Sequence, residues 1–532
     1  MGSTTALGRN GNGDWSRSRS RKIARKRAPT SEPLTLSEVS RKKLLMKKAA
    51  LRLLVVLVGF VGVASAATPT ATKPNIIFIM ADDLGYTDVA AYGSNYYETP
   101  NIDRLAAQGM KFTNYHHCQN CTPTRAALMS GQYGARTGVY TVGGVERFDW
   151  SKRPLRPVDN VAELPLDRVI LPQTLKTAGY ATGMFGKWHI GQQGPHAPGK
   201  RGFDEAIVSM GVHYDFPTTP KTEYPKGQYL ADFLTDRAVD FITRKKDAPF
   251  FLYLPHFGVH SPHQAKPELI AKFKNTPGVG GHNNPTYAAM IASVDESVGR
   301  VMAKLEELKL AENTVLIFAS DNGGVGGYAR EGLTKGGGDI TDNAPLRNGK
   351  GSLYEGGTRV PFIVRWPGKV NAGTVCDVPA IHVDIYPTLV ALAGGAMPAG
   401  QVFDGESLVP LMRASSATLK RDAIFQHFPG YLGMGADQWR TTPVSLVQAG
   451  DWKLMEYLED GRLELYNLRE DIGESKNLAA TMPGKAKELH AKLVAWRAEV
   501  KAPMPTKSDG AAGPDSGKKK GKGKKNKAKE NN

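Results

Sequence analysis

The sequence predicts an α/β protein, a doubly wound sheet flanked by helices, followed by a smaller α+β unit. Two continuous apolar runs, Asn75–Met80 and Thr314–Ala319, have the pattern of strands covered on both faces. Helical and strand-like stretches alternate between them. Beyond about residue 412 the pattern changes to short strand candidates separated by turns.

In chain order, residues 1–66 come first: a basic stretch through Arg52, an apolar core from Leu53 to Val63, then Ala64-Ser65-Ala66 as a cleavage site. This is the form of an export signal. Its core is shorter than the roughly 20 residues a spanning helix needs. Translation from Met46 would give a 21-residue signal of ordinary shape. A mature chain starting near Ala67, periplasmic or secreted and without a transmembrane anchor after processing, is expected; a retained anchor is the alternative.

Asn75–Met80 runs into Asp82 and Asp83, and Thr314–Ala319 into Ser320-Asp321-Asn322-Gly323. Ligand sites of open α/β sheets form beyond the carboxyl ends of strands, so these two ends deliver four oxygen side chains to a favoured place. Between them, Leu171–Ala178 and Asp232–Thr243 have helical spacing, while Ala181–Phe185 and Phe250–Leu254 read as strands. The large domain is expected over 68–412 and the small one over 413–505. The latter holds strands Trp452–Leu458 and Leu463–Leu468 about a turn at Asp460-Gly461, and a helix from about Lys485 to Val500. The Lys-rich end, 506–532, reads as a disordered tail.

The net charge of +18 suggests a polyanion partner until its placement is considered. The first 66 residues carry 14 Lys/Arg against 3 Asp/Glu, residues 507–532 carry 9 against 3, and the remainder 46 against 45. A nearly neutral folded part excludes nucleic acid as the partner. Cys118, Cys121 and Cys376 are too few for a disulfide framework. If Cys121 is consumed chemically, the other two can pair or stay free. His116-His117-Cys118 with Cys121 also permits a zinc or redox site, but no second ligand pair follows at useful spacing.

Cys121-Thr122-Pro123-Thr124-Arg125 resembles the sulfatase signature of Cys, any residue, Pro, a small residue and Arg, with Thr where Ser is commoner. Other segments resemble that family in the same order, over about residues 74–480. They are Thr99–Leu105, Gly186-Lys187-Trp188-His189-Ile190-Gly191, Val259-His260-Ser261-Pro262, Ser320–Gly323, Gly349-Lys350-Gly351 and Tyr354–Gly357. The resemblance implies an alkaline phosphatase-like large domain with a mixed, mostly parallel sheet, and a smaller C-terminal α+β domain with an antiparallel sheet. It also implies that Cys121 becomes formylglycine, installed by a formylglycine-generating enzyme that reads the pentapeptide.

A sulfate ester gains negative charge on its oxygens in the transition state, so cations must surround it. Asp82, Asp83, Asp321 and Asn322 offer hard oxygens suited to one calcium ion, in preference to magnesium, zinc or copper, with residue 121 as a further ligand. Lys187 and Lys350 would meet the sulfate oxygens, and Arg125 would fix the aldehyde hydrate. One hydroxyl of that hydrate attacks sulfur and the other later expels sulfate. By resemblance His189 is the base of the second step, and His260, helped by Lys350, protonates the departing alcohol. His213, His263, Arg347 and His427 lie near these segments and are candidate substrate-binding residues.

Leu164–Arg168 and Arg201–Asp204 look most like the arylsulfatase B branch, which implies a sulfated glycan, or an aryl sulfate, as substrate. The alternatives are a phosphonate monoester or phosphodiester hydrolase of the same superfamily, since both oxyanions are tetrahedral, and a non-catalytic protein that binds acidic polymers with Cys121 left as a thiol.

Overall fold

Eight strands build the large sheet: β1 (Asn75–Ala81), β2 (Met110–Phe112), β3 (Ala181–Gly186), β4 (Glu205–Val208), β5 (Phe250–Pro255), β6 (Thr314–Ser320), β7 (Phe362–Arg365) and β8 (Thr374–Cys376). They lie in the order β8-β2-β7-β6-β1-β5-β3-β4. All pairings are parallel except those of β7, which is antiparallel to both neighbours. The structure, a computed structural model, describes residues 73–333, 339–414, 417–435 and 438–508, with Arg41. The export signal, the Met46 start and nearly all of the Lys-rich tail lie outside the described residues. Among those described, no helix is long and apolar enough to cross a membrane.

The continuous apolar run of β1 is explained by helices on both sides. Ile76, Phe78 and Met80 enter one core with residues of α2 (Cys121–Ser130), α3 (Leu171–Thr177) and α6 (Ile385–Leu392). Ile77, Ile79 and Ala81 enter the other with α1 (Pro100–Ala107), α4 (Leu230–Lys245) and α5 (Pro285–Glu307). Period-2 alternation would leave one face polar, and neither face here meets water. Helix α5, 23 residues long, was not anticipated; Asn284 caps it by accepting from the Tyr287 N–H, and Pro285 opens it.

The C-terminal strands are β9 (Ile424–Phe428), β10 (Leu432–Gly435), β11 (Gln438–Thr441), β12 (Val444–Ala449), β13 (Trp452–Tyr457) and β14 (Leu463–Asn467). Four of them form an antiparallel sheet ordered β9-β12-β13-β14, and β10 and β11 pair apart as a bulged hairpin. Helix α7 (Pro483–Glu499) covers one face of the sheet through Ala486, Leu489, Leu493 and Trp496. The opposite face, with Leu446, Met455 and Tyr466, packs on Tyr140, Leu353 and Tyr354 beside the large sheet.

One buried cation fastens this contact. Lys453 of β13 is 1% exposed and lies 2.8 Å from both Glu355 Oε1 and Glu474 Oε1, while donating to the Leu353 carbonyl at 2.8 Å. The Glu355 N–H in turn donates to Glu474 Oε2 at 2.6 Å. Removing the cation leaves Glu474 buried against Glu355, which keeps Arg359 at 2.6 Å, so Lys453→Met is expected to lower the unfolding free energy by about 3–5 kcal/mol. Denaturant unfolding measures it, and an unchanged midpoint would refute the clamp. Burial pushes the Glu474 carboxyl up from 4.5 to about 7, Lys453 offsetting this in part. A folded state that holds its proton more tightly is stabilised below pH 4.5 and loses that contribution as pH rises through about 7. Glu474→Gln is expected to flatten that part of a stability-against-pH curve.

Candidate functional site

The register of the two central strands decides where the carboxylates emerge. Ala81 pairs with Ser320, so the next residues, Asp82 and Asp321, leave adjacent strands at the same level. Asp83 and Asn322 follow. Asp83 sits at φ 65°, a left-handed conformation that is unfavourable for a non-glycine residue and marks a place where the surroundings fix the backbone. Its N–H donates to Asp321 Oδ1 at 3.1 Å, and its carbonyl accepts from the Tyr287 hydroxyl of α5 at 3.1 Å.

Two neighbouring segments close on these strand ends, and glycine lets them approach. Gly186, at φ 133°, ends β3; a Cβ there would lie 1.9 Å from the Pro255 carbonyl. The chain then turns to present Lys187 and His189. A Cβ on Gly323 would lie 1.8 Å from the Gly356 carbonyl, so only glycine allows the 349–357 segment, which carries Lys350, to seat against β6. Helix α2 adds Cys121 at its first residue, 2% exposed, and Arg125 one turn on. His260 comes from the loop after β5.

These side chains pair one cation to each carboxylate. Lys187 Nζ is 2.5 Å from Asp82 Oδ2, Lys350 Nζ is 2.6 Å from Asp83 Oδ1, and Arg125 Nη2 is 2.7 Å from Asp321 Oδ2. Burial opposes ionisation of Asp83, but Lys350, His260 and Lys187 outweigh it and hold this carboxyl well below its ordinary range. Burial, reinforced by Asp82, pushes Asp321 up to about 6. Burial works against the ammonium of Lys187 as well, and Asp82 reverses the balance so that it stays charged.

Two atoms in the cluster find no donor. Asp82 Oδ1 and Asn322 Oδ1 are buried without a hydrogen-bond partner. Unpaired buried oxygens are costly, and four oxygen side chains within one cluster are the donor set of a hard divalent cation. One ligand atom each of Asp82, Asp321 and Cys121 lies within 4.8 Å of the others. The cluster therefore fits a metal ion in contact with residue 121.

The imidazoles are held by their inner nitrogens. His189, at φ 60°, directs Nδ1 to Thr122 Oγ1 at 3.2 Å. His260 Nδ1 donates to the Ser261 carbonyl at 2.6 Å, leaving Nε2 3.7 Å from Asp83 Oδ2. Burial pushes His189 down to about 2, with Lys187 and Arg125 adding to it, and pushes His260 down to about 4 despite Asp83. Cys121, Lys187, His189, His260 and Lys350 all line one cavity of about 400 Å³.

Arg125 does not line that cavity. Its Nη1 donates to the Lys187 carbonyl at 2.7 Å and its Nη2 to Asp321, so its fork ties α2 to the ends of β3 and β6 and leaves only Nε unpartnered. The four candidate substrate-binding residues are likewise placed elsewhere. Arg347 pairs with Glu331 at 2.8 Å and lies 4.0 Å from the Tyr354 ring centroid. His427 is inside the small sheet, Nδ1 against Ser445 Oγ at 2.7 Å and Nε2 against the Pro503 carbonyl at 2.9 Å. His213, 1% exposed, reaches the His260 carbonyl at 2.9 Å and supports that loop from behind. His263 packs near the Tyr287 ring outside the cavity. Arg147, Phe148 and Arg440, which belong to no motif in the sequence, also line the cavity. All three cysteines are unpaired, and His116 and His117 bond to Asn114 and Tyr115.

Residues 74–396 match the family model described as Sulfatase, and residues 348–499 that for the C-terminal part of N-sulphoglucosamine sulphohydrolase. A protein named Sulfatase from Formosa agariphila is 36% identical over 516 residues, covering 81% of this chain and 90% of that one. The N-acetylgalactosamine-6-sulfatase of Canis lupus familiaris is 34% identical over 392 residues, covering 69% of this chain and 70% of its own. The solved structure of Ps i-CgsB in complex with k-i-k-neocarrahexaose is similar at a TM-score of 0.67 and 30% identity, covering 80% of this chain and 93% of that one. With its strand-end carboxylates, paired cations and Cys121 gathered at one cleft, this chain belongs to the sulfatase family and is a sulfuric ester hydrolase.

Proposed function

We propose that the protein hydrolyses sulfate monoesters on sulfated carbohydrates, with Cys121 converted to formylglycine and one calcium ion held by Asp82, Asp83, Asp321 and Asn322. The observation that carries this reading is the convergence of Cys121, the buried Lys187, the partly buried Lys350 and two imidazoles on one cavity, beneath which Asp82 Oδ1 and Asn322 Oδ1 lack donors. The name of one relative, an N-acetylgalactosamine-6-sulfatase, and the oligosaccharide bound in the similar solved structure support the choice of substrate. The N-terminal signal pattern supports export to the periplasm or medium, and the pentapeptide at Cys121 supports maturation by a formylglycine-generating enzyme.

When bound, the aldehyde hydrate supplies a nucleophilic oxygen and calcium supplies positive charge to the sulfate oxygens. Lys187 and Lys350 orient the sulfate and offset the charge that grows on its oxygens, and burial strengthens both effects. His189, neutral because its ring is buried among cations, is in the state a general base requires; Thr122 fixes the ring so that Nε2 remains for proton transfer. His260 presents Nε2 to the leaving oxygen, and Asp83, 3.7 Å away, favours the imidazolium form that donation requires against the burial that disfavours it. Arg125 touches no reacting atom in this scheme and instead fixes Asp321 and the Lys187 backbone.

Mass spectrometry of the peptide containing Cys121 is expected to show a loss of roughly 18 Da, the conversion of thiol to aldehyde. Cys121→Ala should abolish sulfate release while circular dichroism stays that of the parent; sulfate release by that variant would overturn the assignment. For Asp321→Ala, elemental analysis is expected to find bound calcium and turnover lost together, because a four-oxygen site missing a carboxylate binds weakly. Full calcium occupancy in that variant would place the ion elsewhere.

A further inference from the structure

The cleft holds more cations than its carboxylates can neutralise. Lys187 and Lys350 have Asp82 and Asp83, and Arg125 behind them has Asp321. Arg147 and Arg440 also line the cavity, and among the described residues neither meets a carboxylate. Among the described residues, no Asp or Glu lines the cavity. Arg147 is exposed; its Nη1 donates weakly to the Val142 carbonyl at 3.3 Å, and its guanidinium lies 5.2 Å from the Phe148 ring centroid. Arg440, from β11, lies 4.8 Å from the Tyr328 ring centroid, and its Nε is buried without a partner.

Arg440 stands close to the sulfate-handling lysine. Its stem packs on Gly351, where an added Cβ would meet Arg440 Cδ at 2.8 Å, and the Tyr328 hydroxyl beneath it donates to the Lys350 carbonyl at 2.8 Å. A guanidinium left without an anion in a partly desolvated cleft is unfavourable. Its planar fork matches a sulfate or carboxylate with two parallel hydrogen bonds, which an ammonium group cannot offer. Tyr328 contributes π-face attraction that holds the group in place without using its N–H donors.

We infer that Arg147 and Arg440 form a second anion subsite, which holds a sulfate or carboxylate of the same substrate beyond the ester being cut. The inference rests on the hydrolase reading above and deepens it: the preferred substrate is a glycan carrying at least two anionic groups, and the second group is recognised rather than hydrolysed.

The test compares 4-nitrophenyl sulfate and three versions of one disaccharide: one carrying a single sulfate, one with a second sulfate on the neighbouring ring, and one with a uronate carboxylate there. The unmodified enzyme is expected to prefer a doubly charged disaccharide, with the preference shrinking as salt rises from 50 to 500 mM, concentrations over which exposed charges become screened. The two doubly charged arms identify which anion the subsite takes. Arg147→Gln and Arg440→Gln should each lower kcat/KM for the preferred doubly charged substrate tenfold or more relative to the singly sulfated one, mainly through KM. If both variants change all substrates by the same factor, or change none, the subsite is refuted. Arg440→Gln can disturb Lys350 through Gly351, whereas exposed Arg147 has no such contact, so its variant decides the matter if the other fails to fold. Absence of turnover on every sulfate by the unmodified, formylglycine-bearing enzyme would overturn the hydrolase reading itself, and the subsite with it.

Discussion

Three carboxylates buried at the ends of two adjacent strands set the terms for everything around them. An isolated carboxylate at such depth would take up a proton or unfold its surroundings, so each must be met by a cation. Lys187, Lys350 and Arg125 come from three separate segments and each reaches a different carboxylate. The charge balance thus acts as a positional constraint: the turn after β3, the Gly349–Gly351 loop and helix α2 are drawn to one point. That point is where Cys121 emerges.

The constraint extends into the small sheet. The segment that delivers Lys350 continues into Tyr354 and Glu355, and Glu355 is engaged by Lys453 from β13. A second buried ion network therefore lies a few residues downstream of the first, along the same stretch of chain. Gly323 and Gly356, touching backbone to backbone, hold that stretch against β6. The C-terminal sheet is a structural support for a cleft residue as well as a separate layer.

Much of this was legible in the sequence because the chemistry is carried by short runs at strand ends. Asn75–Met80 and Thr314–Ala319 could be read as fully buried strands, and register alone then places Asp82 beside Asp321. Helix α5 lies outside the segments expected from sequence, although Tyr287, Met290, Ile291, Val294, Val298, Val301 and Leu305 follow helical spacing. Arg347 and His427 were misplaced for another reason. Closeness in sequence to a motif says nothing about side-chain direction, and Arg347, three residues before Lys350, turns away to Glu331 and Tyr354. Arg147 and Arg440 come from a single 3-10 turn and a bulged hairpin, where no periodicity signals which side chains face the cleft.

The β10–β11 hairpin also separates two kinds of change. It hydrogen-bonds within itself as its own two-stranded sheet, outside both larger ones, and lends the cleft only its rim through Leu432, Gly433 and Arg440. The buried ion pairs beneath tolerate little alteration, because each group there is balanced by another. A lineage can therefore reshape the mouth of this cleft by rewriting a few residues of one hairpin, while the buried charge pairs are inherited intact.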